Sequence, residues 1–138
     1  MVTLEEAQKR YPGASTFQFG DTPELIEELT ALVRSGRKRA ACCAVADIEA
    51  ERESAPELGR RDIALDARGR PALVIETLEL RETTFREMTE EMALAEGEDE
   101  TLEGWRIGHR RYYERQGIFD PDMALIWERF DVVEVFSP

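Results

Sequence analysis

Lys38 sits between Arg37 and Arg39, directly after Gly36, in a chain of 138 residues with a net charge of −12. Cations gathered in an acidic protein point to an anionic ligand, or to carboxylates that the fold brings to them. Lys9 and Lys38 are the only lysines, whereas arginine is used freely. An ammonium gives up its proton when desolvated or crowded by other cations, and a guanidinium does not. Lys38 is therefore suited to acid–base or clamp chemistry, with Arg37 and Arg39 as neighbours that lower its pKa. A carboxylate beside it would do the opposite and hold the ammonium as a clamp for an anion. The bland alternative is an exposed lysine at a helix end, where the dipole favours cations.

Two other constellations could carry chemistry. Cys42 and Cys43 are adjacent. Neighbouring cysteines do not reach relaxed disulfide geometry, so reduced thiols in a core are expected, with a reactive thiolate as the alternative. His109 is the only histidine, so the cysteines have few companions for a structural zinc site, and no metal or other cofactor is expected. Further on, Arg106, His109, Arg110, Arg111 and Arg115 alternate with Trp105, Tyr112 and Tyr113. Cations beside aromatics are what single-stranded nucleic-acid binding uses. The same pattern also fits an amphipathic helix whose arginines pair with the glutamates of residues 96–103. One histidine cannot run a two-histidine RNA cleavage, so Lys38 or Tyr113 would have to share the proton transfer.

The elements that must position these residues follow from periodicity. Residues 21–35 predict a helix, capped at Asp21 or Thr22, with Pro23 in its first turn and Leu25, Ile26, Leu29, Leu32 and Val33 on one stripe. Gly36 suits a left-handed stop. Residues 39–45 predict a buried strand and 47–53 a helical turn. Residues 62–66 and 72–80 predict a hairpin around Ala67-Arg68-Gly69-Arg70-Pro71. Residues 85–95 and 101–116 predict helices, with Gly97 and Gly117 as breaks. Residues 123–136 predict a last long strand, covered on both faces by Met123, Leu125 and Trp127 on one and Ile126, Phe130 and Val132 on the other. Mixed strands and helices without regular alternation, and without a glycine-rich phosphate loop, give an α+β class in one domain. No apolar run reaches membrane-spanning length and the N-terminus lacks a signal-peptide core, so a cytoplasmic location without membrane contact is expected. The acidic balance excludes a generic polyanion binder and leaves small substrates or short single strands.

Four segments together resemble the ASCH domain family of the PUA-like superfamily. They are Phe19-Gly20-Asp21-Thr22-Pro23-Glu24-Leu25; Gly36-Arg37-Lys38-Arg39-Ala40; Ala95-Glu96-Gly97-Glu98-Asp99 with Leu102-Glu103-Gly104-Trp105; and Met123-Ala124-Leu125-Ile126-Trp127-Glu128-Arg129-Phe130. They cover a core of about residues 17–133 in a single domain of residues 1–138. The resemblance implies a small PUA-like mixed β-barrel flanked by helices, with a cleft for RNA or a nucleoside-like small molecule. Some members are similar to amidohydrolases that deacylate N4-acetylcytidine with a Lys, a Thr and a Glu; others are assigned ribonuclease activity. Lys38 and Glu98 match the lysine and glutamate, and are the expected catalytic pair. Ala41 stands where the threonine is expected. A methyl cannot attack a carbonyl, so metal-independent RNA cleavage, which borrows a substrate hydroxyl, is favoured over amide hydrolysis. Cys43, two positions on and on the same face of a strand, is the candidate substitute nucleophile. Arg37, Arg39, Arg110 and Tyr113 are the expected substrate contacts. A non-catalytic RNA-binding module is the remaining alternative, and any protein partner is left open.

Overall fold

The computed structural model describes residues 1–136. Helix α1 (Leu4–Arg10) precedes a short strand β1 (Ser15–Phe17), helix α2 (Pro23–Arg34), strand β2 (Ala40–Ala44) and a helical turn α3 (Val45–Glu49). Strands β3 (Arg61–Leu65) and β4 (Pro71–Thr84) follow, then helices α4 (Glu90–Ala95) and α5 (Leu102–Arg115), and strand β5 (Ala124–Val135). The five strands form one mixed sheet in the order β1-β3-β4-β5-β2. β1 runs parallel to β3 and the other neighbours are antiparallel. The β4–β5 register shifts twice, between Val74 and Ile75 and between Thr77 and Glu79. Such irregularities bend and twist a ladder. The expected barrel is accordingly a half-barrel, with β1 and β2 as its open edges.

Both faces of β5 are covered, as its alternation predicts. Leu125 and Trp127 pack with Met92, Trp105 and Tyr113 of α4 and α5. Phe130 and Val132 pack with Leu29 and Val33 of α2, and with Phe19, Leu73 and Ile75. α2 starts as its sequence dictates: the Thr22 hydroxyl accepts from the Leu25 N–H, with Pro23 in the first turn. Gly36 ends it at φ +86°, and the Arg37 N–H bonds back to the Leu32 carbonyl.

The helix expected over residues 85–95 is shorter. Thr89 is extended and caps α4 through the Met92 N–H, so helix begins only at Glu90. Phe85 and Met88 still reach the α5 core, from a turn in which the Thr84 hydroxyl accepts from the Glu87 N–H. The apolar spacing was thus real, but local hydroxyl caps divided it between two conformations. The helical turn expected at 47–53 lies earlier, at Val45–Glu49, and β4 runs on to Thr84 because the outer half of β5 pairs with it. α1 and β1 had no counterpart in the sequence reading.

Candidate functional site

Lys38 leaves α2 just before β2, and its side chain turns inward, with 2% exposure. The ammonium donates to the Ala40 carbonyl at 2.8 Å, to Glu98 Oε2 at 2.7 Å and to the Glu96 carbonyl at 3.4 Å. The Glu96 carboxylate, 1% exposed, lies 3.9 Å away. Burial pulls the Lys38 pKa down, but the charges of Glu98 and Glu96 outweigh it and leave the ammonium above its ordinary value. Arg37 and Arg39 therefore do not set its state, contrary to the sequence expectation.

Gly97 makes this contact possible. It sits at φ +71°, and a Cβ built there would lie 2.2 Å from the Arg37 carbonyl oxygen and 2.8 Å from the Lys38 Cα. The Arg39 N–H also donates to the Ala95 carbonyl at 2.9 Å. The turn after α4 is thus pressed directly on the backbone that carries Lys38, and Glu96 and Glu98 are delivered to either side of its amine.

Glu96 reaches further, to α5. Its Oε2 accepts from Trp105 Nε1 at 3.0 Å, and its Oε1 lies 3.2 Å from His109 Nε2. The His109 ring stacks on Trp105 at 4.2 Å, and its Nδ1 is 3.0 Å from the Trp105 carbonyl. Burial pushes the Glu96 carboxyl up, but the bond and charge of His109, the Lys38 charge and the Trp105 N–H bring it below the usual range. Tyr113, one turn further along α5, places its hydroxyl 3.3 Å from Cys42 Sγ, and burial drives that phenol well above its ordinary pKa.

These groups form one wall of a cleft of about 970 Å³, a size suited to a small ligand. Ala41, Cys43, Asp62 and Glu128, all on strands, form the sheet floor; Phe17, Phe19 and the segment from Glu51 to Pro56 complete the lining. On the floor, the Thr77 hydroxyl donates to Glu128. Burial raises the Glu128 pKa, with Thr77 acting against it. Burial and the charge of Glu53 push the Cys43 thiol up to about 12. At neutral pH that thiol is protonated, which removes the activated thiolate that a nucleophile would need.

The structure thus brings Lys38, Glu98, Cys43 and Tyr113 to one cleft. It does not bring Arg37, Arg39 or Arg110 there. Arg37 is exposed. Arg39 folds back on the Gly36 carbonyl and faces Asp131, and Arg110 pairs with Glu114 and lies over Phe119. Between α2 and β2 the chain turns Lys38 inward and leaves its two sequence neighbours exposed. Arg111 and Arg115 of α5 do line the cleft, with Arg115 tied to Asp21. Arg110 and Arg115 find Glu114 and Asp21 rather than the glutamates of residues 96–103. Sequence reading missed Glu96 and Glu128 as site groups, and of the two cysteines it carried only Cys43 into the site. Only the buried Trp105, whose N–H needs an acceptor, hinted at Glu96.

Comparison with known proteins gives this geometry a context. Among curated proteins, none matches the chain. A protein of Enterococcus faecalis V583 assigned to the DUF984 family is 30% identical, with a TM-score of 0.82 over 95% of this chain and 85% of that one. An ASCH domain from Lactobacillus crispatus JV V101 is 28% identical, with a TM-score of 0.79 over 96% of this chain and 86% of that one. The family model described as an ASCH domain matches residues 15–134, which include both sides of the cleft and every strand but the last residue of β5. The chain belongs to the ASCH domain family.

Proposed function

We propose that the cleft binds a nucleoside, or one unpaired base of an RNA strand, through hydrogen bonds and aromatic contact and not by neutralising phosphates. The observation that carries this reading is the state of Lys38. Its ammonium is already shared among three acceptors and is buried, and what faces the opening is Glu98, with 19% side-chain exposure. Asp99 also lines the cleft; burial and the Glu98 charge raise its pKa. Carboxylates outnumber cations along the lining. Such a wall accepts from the N–H edge of a base and repels a phosphate chain. Phe17, Phe19 and Tyr112 supply apolar surface for a ring. The general expectation of RNA binding that attaches to ASCH domains is consistent with a base as the recognised unit.

The test is titration with cytidine, N4-acetylcytidine and a short single-stranded RNA at several salt concentrations. Binding should be nearly independent of salt, and Glu98→Gln should weaken it by about 10–150-fold, the equivalent of a charge-assisted hydrogen bond of about 1.5–3 kcal/mol. If instead only RNA binds, with log K falling against log salt at a slope near −3, about four phosphates are being held and the reading is wrong.

For turnover, a specific observation favours hydrolysis of an acyl amide over RNA cleavage. Both His109 nitrogens are engaged, by Trp105 and Glu96, and the Tyr113 and Lys38 pKa values are raised, so His109 with Lys38 or Tyr113 is poorly placed to share the two proton transfers of RNA cleavage. A water on Glu98 needs neither the missing threonine nor the Cys43 thiol. The water oxygen adds to the carbonyl carbon and its proton passes to Glu98. That proton then goes to the departing nitrogen as the C–N bond breaks. Incubation with N4-acetylcytidine should release acetate at a rate unchanged by alkylation of Cys43 and abolished in Glu98→Gln. Cleavage of labelled single-stranded RNA by the wild type, with the acylated nucleoside left intact, would reverse the order.

A further inference from the structure

Cys42, Glu96 and His109 come from β2, from the end of α4 and from α5, and all three line the cleft. One ligand atom of each lies within 4.8 Å of the other two. We propose that these three residues bind a single zinc ion, with its fourth position turned to the cleft. This goes beyond the nucleoside reading and does not depend on it.

The donor set is the first argument. A sulfur, an imidazole nitrogen and a carboxylate oxygen together favour zinc over magnesium or calcium, which take oxygen alone. Geometry is the second. Tetrahedral zinc with such ligands separates the donor atoms by about 3.3–3.6 Å, from bond lengths of about 2.0–2.3 Å. His109 Nε2 and Glu96 Oε1 are already 3.2 Å apart. With no separation above 4.8 Å, the sulfur closes the set by a side-chain shift of about 1 Å.

The third argument is that each donor is already oriented from behind. His109 Nδ1 faces the Trp105 carbonyl at 3.0 Å, which leaves Nε2 as the metal-facing nitrogen. Trp105 Nε1 holds Glu96 Oε2 at 3.0 Å, which points Oε1 to His109 Nε2 and the metal position, with the Lys38 ammonium 3.9 Å away. The Tyr113 hydroxyl, 3.3 Å from Cys42 Sγ, is placed to donate to a thiolate. Outer contacts of this kind accompany metal ligands generally. A thiolate and a carboxylate also balance the two charges of zinc. Binding displaces the thiol proton, and the imidazole proton wherever His109 carries one. Three protein ligands and an open position match catalytic rather than structural zinc sites.

The experiment uses the whole reduced protein titrated with cobalt(II), followed by zinc competition. One equivalent of cobalt should bind and show a thiolate-to-metal charge-transfer band that zinc abolishes. Cys43→Ser should keep the band. Cys42→Ser should lose it and weaken zinc by more than the roughly 10–100-fold that loss of an outer partner costs. In the wild type, zinc should slow alkylation of Cys42 at least about tenfold and leave Cys43 unchanged, a readout that needs no variant. Absence of the band, its persistence in Cys42→Ser, its loss in a folded Cys43→Ser, or alkylation of Cys42 indifferent to zinc would each overturn the site.

Discussion

The two walls of the cleft bury carboxylates in opposite ways. On the helix side, Glu96 has the Lys38 ammonium, the His109 ring and the Trp105 N–H within reach, and its pKa falls despite nearly complete burial. On the sheet side, burial and the Asp62 charge outweigh the Thr77 hydroxyl and the charges of Arg60 and Lys38, and the Glu128 pKa rises. The Cys43 thiol is likewise pushed up to about 12. The more deeply buried Glu96 is thus the carboxylate held ionised, and the less buried Glu128 is the one driven toward neutrality. What decides is the supply of donors, not depth. A ligand in this cleft meets an ionised Lys38–Glu96 pair on the helix side and, on the sheet side, a carboxyl whose protonation it can change.

Removing the cation should break the contrast most severely. Lys38→Met leaves Glu96 and Glu98 without their shared partner, and stability in urea should fall by about 3–5 kcal/mol, as when a buried pair loses one member. Loss of less than 1 kcal/mol would mean that His109 and Trp105 satisfy the wall alone. Gly97→Ala comes next. A methyl there meets the Arg37 carbonyl and an unfavourable φ, so about 2–4 kcal/mol should be lost and cleft binding should fall with it. A second measurement, amide exchange at Arg39, should show its bond to Ala95 opening.

Glu128→Gln probes the opposite wall and should have a small effect of the opposite sign. The folded pKa of Glu128 lies above its unfolded value, so the folded state binds the extra proton more readily. Stability then declines as pH rises from about 4.3, the unfolded value, through the folded pKa. The amide avoids that penalty. The variant should equal or exceed wild type by up to about 1 kcal/mol at neutral pH, and match it below about pH 4. Thermal melts across that range check the sign. The smallest effects belong to Arg39→Ala and Arg110→Ala. Their ion pairs are exposed, and each should cost about 0.5 kcal/mol or less and leave nucleoside binding unchanged.

Some of this was legible in the sequence. The stripe of α2, its Thr22 cap and the Gly36 stop are local properties, and local rules recover them. So is the double coverage of β5, written in its two alternations. Lys38 stood out by rarity and by its place in a motif. Glu98 was selected from its acidic neighbours only by family resemblance, because a run of carboxylates carries no mark of which one folds inward. Glu96 was invisible for the same reason; its role depends on α5 packing over the turn after α4, a tertiary fact. Arg37 and Arg39 stay exposed while Lys38 turns inward, but composition alone had grouped the three as one patch.

The lack of a side chain at Gly97 has a consequence for ligand size. With the turn after α4 seated on the chain entering β2, the ionised wall cannot retreat without breaking backbone contacts. The segment from Glu51 to Pro56, which also lines the cleft and belongs to no helix or strand, is held differently: the Arg52 and Glu53 N–H groups donate back to the Asp47 carbonyl, and the Arg60 guanidinium donates to the Ala55 carbonyl. A bulkier guest therefore meets resistance on both sides, and the size of the ligand is set by the backbone and not by side-chain rotation alone.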